Sequence, residues 1–247
     1  MSRLKLLGGL AVLAIFGAAS VGRADDKTDL QGAVKKLADS ANYSWATTVE
    51  GGRGGPSDGK TEKDGYTSFT INFQNELYEV IMKGEKAAIK MDNRWVSQAE
   101  VRKAADDAGG FSPELIVTFR IAAFKTPAAQ AKDVADKFTN LKKTDDGYTA
   151  DLANETAKDL LTFRRPAGAG QDNIPPMTVK DAKGTLKLWV QDGAMTKMQI
   201  HLTGTRSFND QDQPVDQTMT TQIKDVGKTK ISVPDEAKKK LEAAIPG

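Results

Sequence analysis

The segment TLKLWVQDGAMTKMQIHLTG, residues 185–204, has the clearest secondary-structure pattern in the chain. Apolar residues occupy every second position over 186–190, Asp192-Gly193 follows, and the alternation returns over 198–202. A period of two on both sides of an Asp-Gly pair is the pattern of a β-hairpin with a tight turn. One face of this hairpin is apolar, so we expect other elements of the fold to pack on it and bury it.

Further strands flank the hairpin on both sides of the chain. Downstream, residues 216–223 continue it as a second hairpin through the loop FNDQDQP, residues 208–214. Upstream, residues 66–91 alternate in short runs between turns, and YSWATTVE, residues 43–50, alternates before them. The pattern predicts antiparallel strands at both ends of the chain.

Helical periodicity fills the spaces between these strands. Apolar residues recur every three or four positions over 29–41, and the central segments 98–108, 113–124 and 127–141 are helical in pattern. A strand at 147–150, a short helix at 155–163 and a C-terminal helix opened by Pro234 and Asp235 complete the prediction. Strands, then helices, then strands again predict an α+β fold with one large antiparallel sheet.

The N-terminus has the pattern of a secretory signal peptide. Basic residues Arg3 and Lys5 precede an uncharged apolar stretch over 6–21, and small residues lead to Ala24. We expect cleavage near Ala24, with other small-residue sites nearby and an uncleaved anchor as the alternatives. The expected mature chain, 25–247, is one soluble, exported domain, periplasmic or extracellular.

Charge and cysteine content exclude several classes of partner. Removal of residues 1–24 leaves 32 basic residues against 33 acidic ones, a net charge near −1. Nearly balanced, scattered charge gives no electrostatic footprint for nucleic acid or anionic lipid head groups, so polyanionic partners are disfavoured. The chain has no cysteine, which excludes disulfides, thiol catalysis and a lipid-modified cysteine. We expect a monomer.

GGPSDGKT, residues 54–61, fits the letters of a phosphate-binding loop. Such a loop must open a helix, whose N-terminus faces the phosphates. The residues that follow, EKDGYTSFTINF, contain an Asp-Gly turn and then strand alternation. We therefore predict a surface loop between two strands, with no bound nucleotide and no cofactor.

The remaining polar candidates favour structural roles. His201 is the only histidine and alternates with core positions, so we predict a solvated strand residue and no metal site. Asp210, Asp212 and Asp216 lack the glycine and the closing glutamate of a calcium loop. The Arg164-Arg165 pair follows a predicted helix, where cations are favoured in any case. No catalytic residue is identified, and we expect no enzymatic activity.

The order of elements resembles a known superfamily. The phrases KDGYTSFTINFQN (63–75), YEVIMKGEKAAIKMDNRWV (78–96) and QIKDVGKTKISVPDEA (222–237) carry the resemblance. The chain resembles the periplasmic lipoprotein carriers and the mycobacterial-type lipid-binding lipoproteins, over most of the expected mature chain.

The resemblance implies a curved, incomplete β-barrel whose concave apolar face is covered by helices and binds lipid acyl chains or senses partner proteins. The residues it places on the strands of that face and on the covering helices are Trp45, Phe69, Ile71, Phe73, Leu186, Leu188, Met198, Ile200 and Leu202, with Phe119 and Phe124. The leading hypothesis is a binding protein for a lipid or another apolar ligand. The alternative is an envelope interaction module whose core is filled and whose partner is another protein.

Overall fold

The protein is described here as a computed structural model, which covers residues 22–52, 57–74, 76–107, 112–162, 177–209 and 211–242. Residues 1–21 of the expected signal peptide, the Arg164-Arg165 pair and Asp210 lie outside these ranges. None of the helices within them has the length and hydropathy of a membrane span.

Six helices and eleven strands make up the described chain. The helices are α1 (Gly22–Ala38), α2 (Gln98–Asp107), α3 (Pro113–Ala122), α4 (Pro127–Val134), α5 (Asn154–Leu161) and α6 (Asp235–Glu242). The strands are β1 (Asn42–Glu50), β2 (Ser57–Glu62), β3 (Thr67–Phe73), β4 (Glu76–Lys83), β5 (Lys86–Met91), β6 (Arg94–Ser97), β7 (Phe138–Thr144), β8 (Gly147–Leu152), β9 (Thr178–Gln191), β10 (Ala194–Phe208) and β11 (Gln211–Lys224).

All eleven strands form one antiparallel sheet. Its order is β6-β5-β4-β3-β2-β1-β11-β10-β9-β8-β7, so β6 and β7 are the edges and the sheet is open. Neighbours in the sheet are neighbours in the chain except at β1 and β11, which pair from Ser44 with Lys224 to Glu50 with Thr218. The predicted α+β class with one large antiparallel sheet is confirmed.

The hairpin of residues 185–204 is confirmed and extended. Asp192 and Gly193 have φ values of 52° and 70°, the left-handed pair that a two-residue turn of this kind requires. The strands on either side, β9 and β10, have 14 and 15 residues. β10 and β11 continue into the segment 208–214 that was predicted as a loop, since Phe208 pairs with Gln211.

The two faces of the sheet carry different cores. Helices α1 to α5 cover one face, where the larger cluster of buried side chains lies. The helix α6 packs on the opposite face, where Ala237 and Leu241 meet Ile81, Ala88 and Trp95. Successive residues of a strand point to opposite faces, which is why Val80 belongs to the first cluster and Ile81 to the second.

Two further sequence expectations about secondary structure are wrong. Residues 57–61 of the GGPSDGKT segment belong to β2, which is paired with β1 on one side and β3 on the other, and they are not part of a surface loop; residues 54–56 lie outside the described ranges. The predicted helix over 127–141 ends at Val134, and β7 begins at Phe138. The segment after Thr61 is a strand and a turn, so the helix of a phosphate loop does not follow it.

Candidate functional site

The predicted ligand residues come together on the face covered by α1 to α5. Eight of the eleven belong to one hydrophobic cluster, Phe73 and Phe124 pack against it, and Phe119 is buried on α3 outside it. All eight cluster members come from the two groups of strands, near the start of the chain and near its end. The apolar surfaces of the early strands and the late hairpins are therefore joined beneath the helices.

Three of these residues stack on one another. Phe124, in the connection between α3 and α4, lies over Phe69 of β3 with ring centroids 3.8 Å apart and planes 8° apart. Trp45 of β1 also stacks on Phe124, with ring centroids 6.1 Å apart and planes 25° apart. These rings fill the space between the strands and the helices at this point.

An open space lies farther along the same face. A cavity of about 740 Å³ lies between the C-terminal end of β10, the N-terminal end of β11 and the helices α3 and α5. Its described lining residues are Arg120, Leu160, Leu161, Thr162, Met177, Arg206, Phe208, Gln211, Asp212 and Gln213. None of the eleven predicted residues is among them, although Phe73 lies directly beneath Arg120.

The apolar part of the lining continues the main core. Leu161 is fully buried in the large cluster and Leu160 packs against it, both from α5. On the other side Met177 precedes β9, and Phe208, at the end of β10, is 44% exposed. A ligand in the cavity would therefore contact the edge of the core without disturbing its centre.

Arg120 is placed by the local structure of α3. The helix begins after Ser112, whose Oγ accepts a hydrogen bond from the Leu115 N–H at 3.2 Å, and Pro113 occupies its first turn. Phe119 and Ile121 on either side of Arg120 are buried. The arginine is half-buried between them, and its side chain reaches the end of β3.

The polar part of the lining contains two guanidinium groups and one carboxylate. Arg206 donates from Nε to the Leu161 carbonyl at 2.9 Å, which ties β10 to the end of α5. Asp212 accepts a hydrogen bond from the Ser207 hydroxyl and lies 3.5 Å from Lys180 Nζ. The Ser207 hydroxyl, and then Lys180, hold the pKa of Asp212 below its ordinary value, so this carboxylate is ionised at neutral pH.

His201 has a partner that sequence spacing did not show. Its Nε2 lies 2.8 Å from Asp216 Oδ1 on the neighbouring strand, and its side chain is 41% exposed. The prediction of a solvated strand residue is compatible with this exposure, but a carboxylate is adjacent because β10 and β11 pair antiparallel. Among the described residues no three acidic or histidine side chains are close enough to hold a metal ion.

The cavity itself was not found from the sequence. Its residues come from α3, α5, β10 and β11, which are separated by up to about 90 residues in the chain and converge only through the sheet order. The sequence offered one indication of this cavity: Phe208 is a large apolar residue at the start of a predicted polar loop.

No protein-family model matches the sequence, and no curated protein is significantly similar to it. Two solved structures resemble the fold. Lipoprotein LppX of Mycobacterium tuberculosis has a TM-score of 0.48 and 9% identity, over 85% of this chain and 98% of the other. LprF of Mycobacterium bovis has a TM-score of 0.46 and 12% identity, over 87% and 98%. Both are mycobacterial lipoproteins, the type of protein to which the sequence was likened, and no inference about ligand or activity follows from the likeness.

Proposed function

We propose that this chain is a non-enzymatic, exported binding protein that holds a lipid or another apolar ligand between its sheet and its helices. The observation that supports the proposal most directly is the cavity of about 740 Å³ at the ends of β10 and β11. Small-molecule sites generally have volumes of about 300 to 1,000 Å³, so the space is large enough for such a ligand.

The composition of the wall favours an amphiphile. Leu160, Leu161, Met177 and Phe208 offer apolar surface to an acyl chain, and each methylene removed from water contributes about 0.8 kcal/mol. Polar side chains on the remaining walls suit a head group. The alternative, a protein-interaction module with a filled core, would need a smaller space than this one.

The eleven residues predicted from the sequence enter the proposal as its inner wall. Ten of them lie in or against the cluster that also contains Leu161 of the cavity wall, and Phe73 lies beneath Arg120 of that wall. We propose that the acyl chain lies against the outer apolar side chains with its end towards this packed wall.

Two measurements test the proposal on the mature chain. Organic extraction of the purified protein followed by mass spectrometry should yield a lipid, and titration with the fluorescent fatty acid cis-parinaric acid should show saturable binding. Absence of both would show the proposal to be wrong.

A variant pair locates the site. Phe208→Ala removes an exposed ring from the cavity wall and should weaken cis-parinaric acid binding by about three- to ten-fold, because apolar contact area is lost. Leu77→Ala is the matched control, since Leu77 is 63% exposed on β4 and is not among the cavity residues. Equal affinities for the two variants would place the ligand elsewhere.

A further inference from the structure

The guanidinium of Arg120 is fixed at the cavity by two contacts with β3. Its Nη1 donates a hydrogen bond to the Asn72 carbonyl at 3.2 Å. Its central carbon lies 4.8 Å from the centroid of the Phe73 ring. The carbonyl and the ring hold the group in a defined position, and neither contact neutralises its charge.

No anion in the described chain balances this charge. No Asp or Glu oxygen of the described residues forms an ion pair with Arg120 within 4 Å. An arginine has five N–H donors, and only one of them has an acceptor among these residues. Burial lowers the pKa of Arg120, which is the direction expected when a cation is desolvated without a counter-ion.

Two other charged side chains line the described part of the cavity, Arg206 and Asp212. Arg206 carries a second positive charge, with its Nε on the Leu161 carbonyl. The only carboxylate that lines the described part of the cavity is Asp212, which lies on an exposed stretch of β11 and is already paired with Ser207 and Lys180. Fixed positive charge in a partly desolvated cleft attracts anions.

We propose that Arg120 binds the anionic head group of the ligand, a carboxylate or a phosphate carried on an acyl chain. The inference rests on the proposed function and specifies its ligand class. A guanidinium presents its N–H donors in a planar fork that matches these oxyanions in pairs, so the donors not used by Asn72 are suited to this role. The acyl chain of the ligand would then extend from Arg120 along Leu160 and Leu161.

The test compares probes that differ only in the charge of the head. cis-Parinaric acid and its methyl ester have the same chain, and at pH 8 the acid is ionised. For a phosphate head group, oleoyl lysophosphatidate, which is anionic, and monooleoylglycerol, which is neutral, are compared by their ability to displace the bound methyl ester. The full mature chain is used throughout, and the two arms distinguish a fatty acid from a phospholipid as the source of the anion.

The wild-type protein should bind at least one anionic member about ten-fold or more tightly than its neutral counterpart, which is the range of a charge-assisted hydrogen-bonded pair. Arg120→Met should remove this preference and leave the affinity for the neutral probe unchanged. Arg120→Lys keeps the charge but not the fork and should retain part of the preference. Arg94→Met, at an exposed arginine of β6, makes the same charge change and should alter neither affinity.

The outcomes separate the two proposals. If the wild-type protein bound the charged and the neutral probe of each pair with equal affinity, the role of Arg120 would be overturned and the proposed function would stand. The same conclusion would follow if Arg120→Met lost affinity for the charged and the neutral probes by the same factor. Absence of binding of any probe would instead contradict the proposed function. The wild-type comparison does not depend on the folding of any variant.

Discussion

The absence of a side chain at Gly59 makes room for the indole ring of Trp45 in the core. It lies on β2 between Trp45 of β1 and Phe69 of β3 in the sheet register. A Cβ atom at this position would lie 2.1 Å from Cζ2 of Trp45, so the indole ring occupies the space that a side chain would take. The glycine thereby lets Trp45 lie flat across β2 and reach Phe124.

Gly59→Ala should destabilise the protein by about 1 to 3 kcal/mol, because the rigid, stacked indole must move to admit the methyl group. Urea unfolding followed by far-UV circular dichroism measures the change. Gly32→Ala is the matched control: Gly32 lies in α1, where an added methyl group would have no atom within 4 Å, and the same substitution should stabilise by about 0.5 to 1 kcal/mol. Effects of the same sign in the two variants would contradict the account.

At the scale of elements, α2 and α6 are linked across the edge of the sheet. Glu100 in the first turn of α2 accepts a hydrogen bond from the Ser97 N–H at 2.6 Å, and Ser97 Oγ accepts one from the Glu100 N–H. This reciprocal pair is a capping box. The other carboxylate oxygen of Glu100 lies 2.5 Å from Lys240 Nζ, so the start of one helix is tied to the last turn of the other.

This link should make stability depend on pH. Lys240, and then the Ser97 N–H, hold the pKa of Glu100 below its ordinary value of 4.5. A folded-state pKa below the unfolded one adds stability that is complete above about pH 4.5 and is lost as the pH falls through the lower folded value. Glu100→Gln should therefore lower stability at pH 7, by less than about 1 kcal/mol because the pair is half-exposed, and should match the wild type in strong acid.

Urea midpoints of both proteins, measured from pH 7 to pH 2, test this. Glu236→Gln, at an exposed residue of α6, is the control for loss of one negative charge. A Glu100→Gln protein whose midpoint stayed below that of the wild type by the same amount at every pH would refute the link.

The scale of elements also shows where sequence patterns fail. Ala131 and Val134 of α4, and Ala135 just after it, are buried as the helical pattern predicted. Phe138 has the next helical spacing, but it starts β7. The sequence did not predict this strand because its two partly buried residues, Phe138 and Leu141, are three positions apart and not two. The spacing differs because the pairing of β7 with β8 is irregular between Thr139 and Lys142. A bulge of this kind destroys the period of two by which strands are recognised.

For the whole molecule, the sequence predicted the class of fold but not the cavity. Alternation identified the strands of residues 66–91 and the late hairpins because residues on one face, such as Phe69, Ile71 and Ile200, are buried more deeply than the residues next to them. Periodicity carries no information on which strands pair at a distance, so the β1–β11 pairing was not predictable. The cavity depends on that sheet order and on the placement of α3 and α5 over it, and nothing in the sequence around Arg120 distinguishes it from an ordinary helical arginine.

The β1–β11 pairing determines how the molecule should unfold. It joins the strands β1 to β6 to the strands β7 to β11 through seven residue pairs, and the large cluster extends across it from Val80 to Leu188. Neither group of strands would keep its buried face covered without the other. We therefore expect a single cooperative transition for the described domain.

Variants that retain only Trp45, in β1, or only Trp189, in β9, report on the two groups of strands separately. In each variant the urea midpoint from tryptophan fluorescence should coincide with the midpoint from far-UV circular dichroism, which reports on all elements together. Comparison within one variant removes any effect of the tryptophan substitutions on stability. A Trp189 midpoint that differs from the circular dichroism midpoint would mean that the late hairpins unfold on their own, and the cluster would then be two cores in contact rather than one.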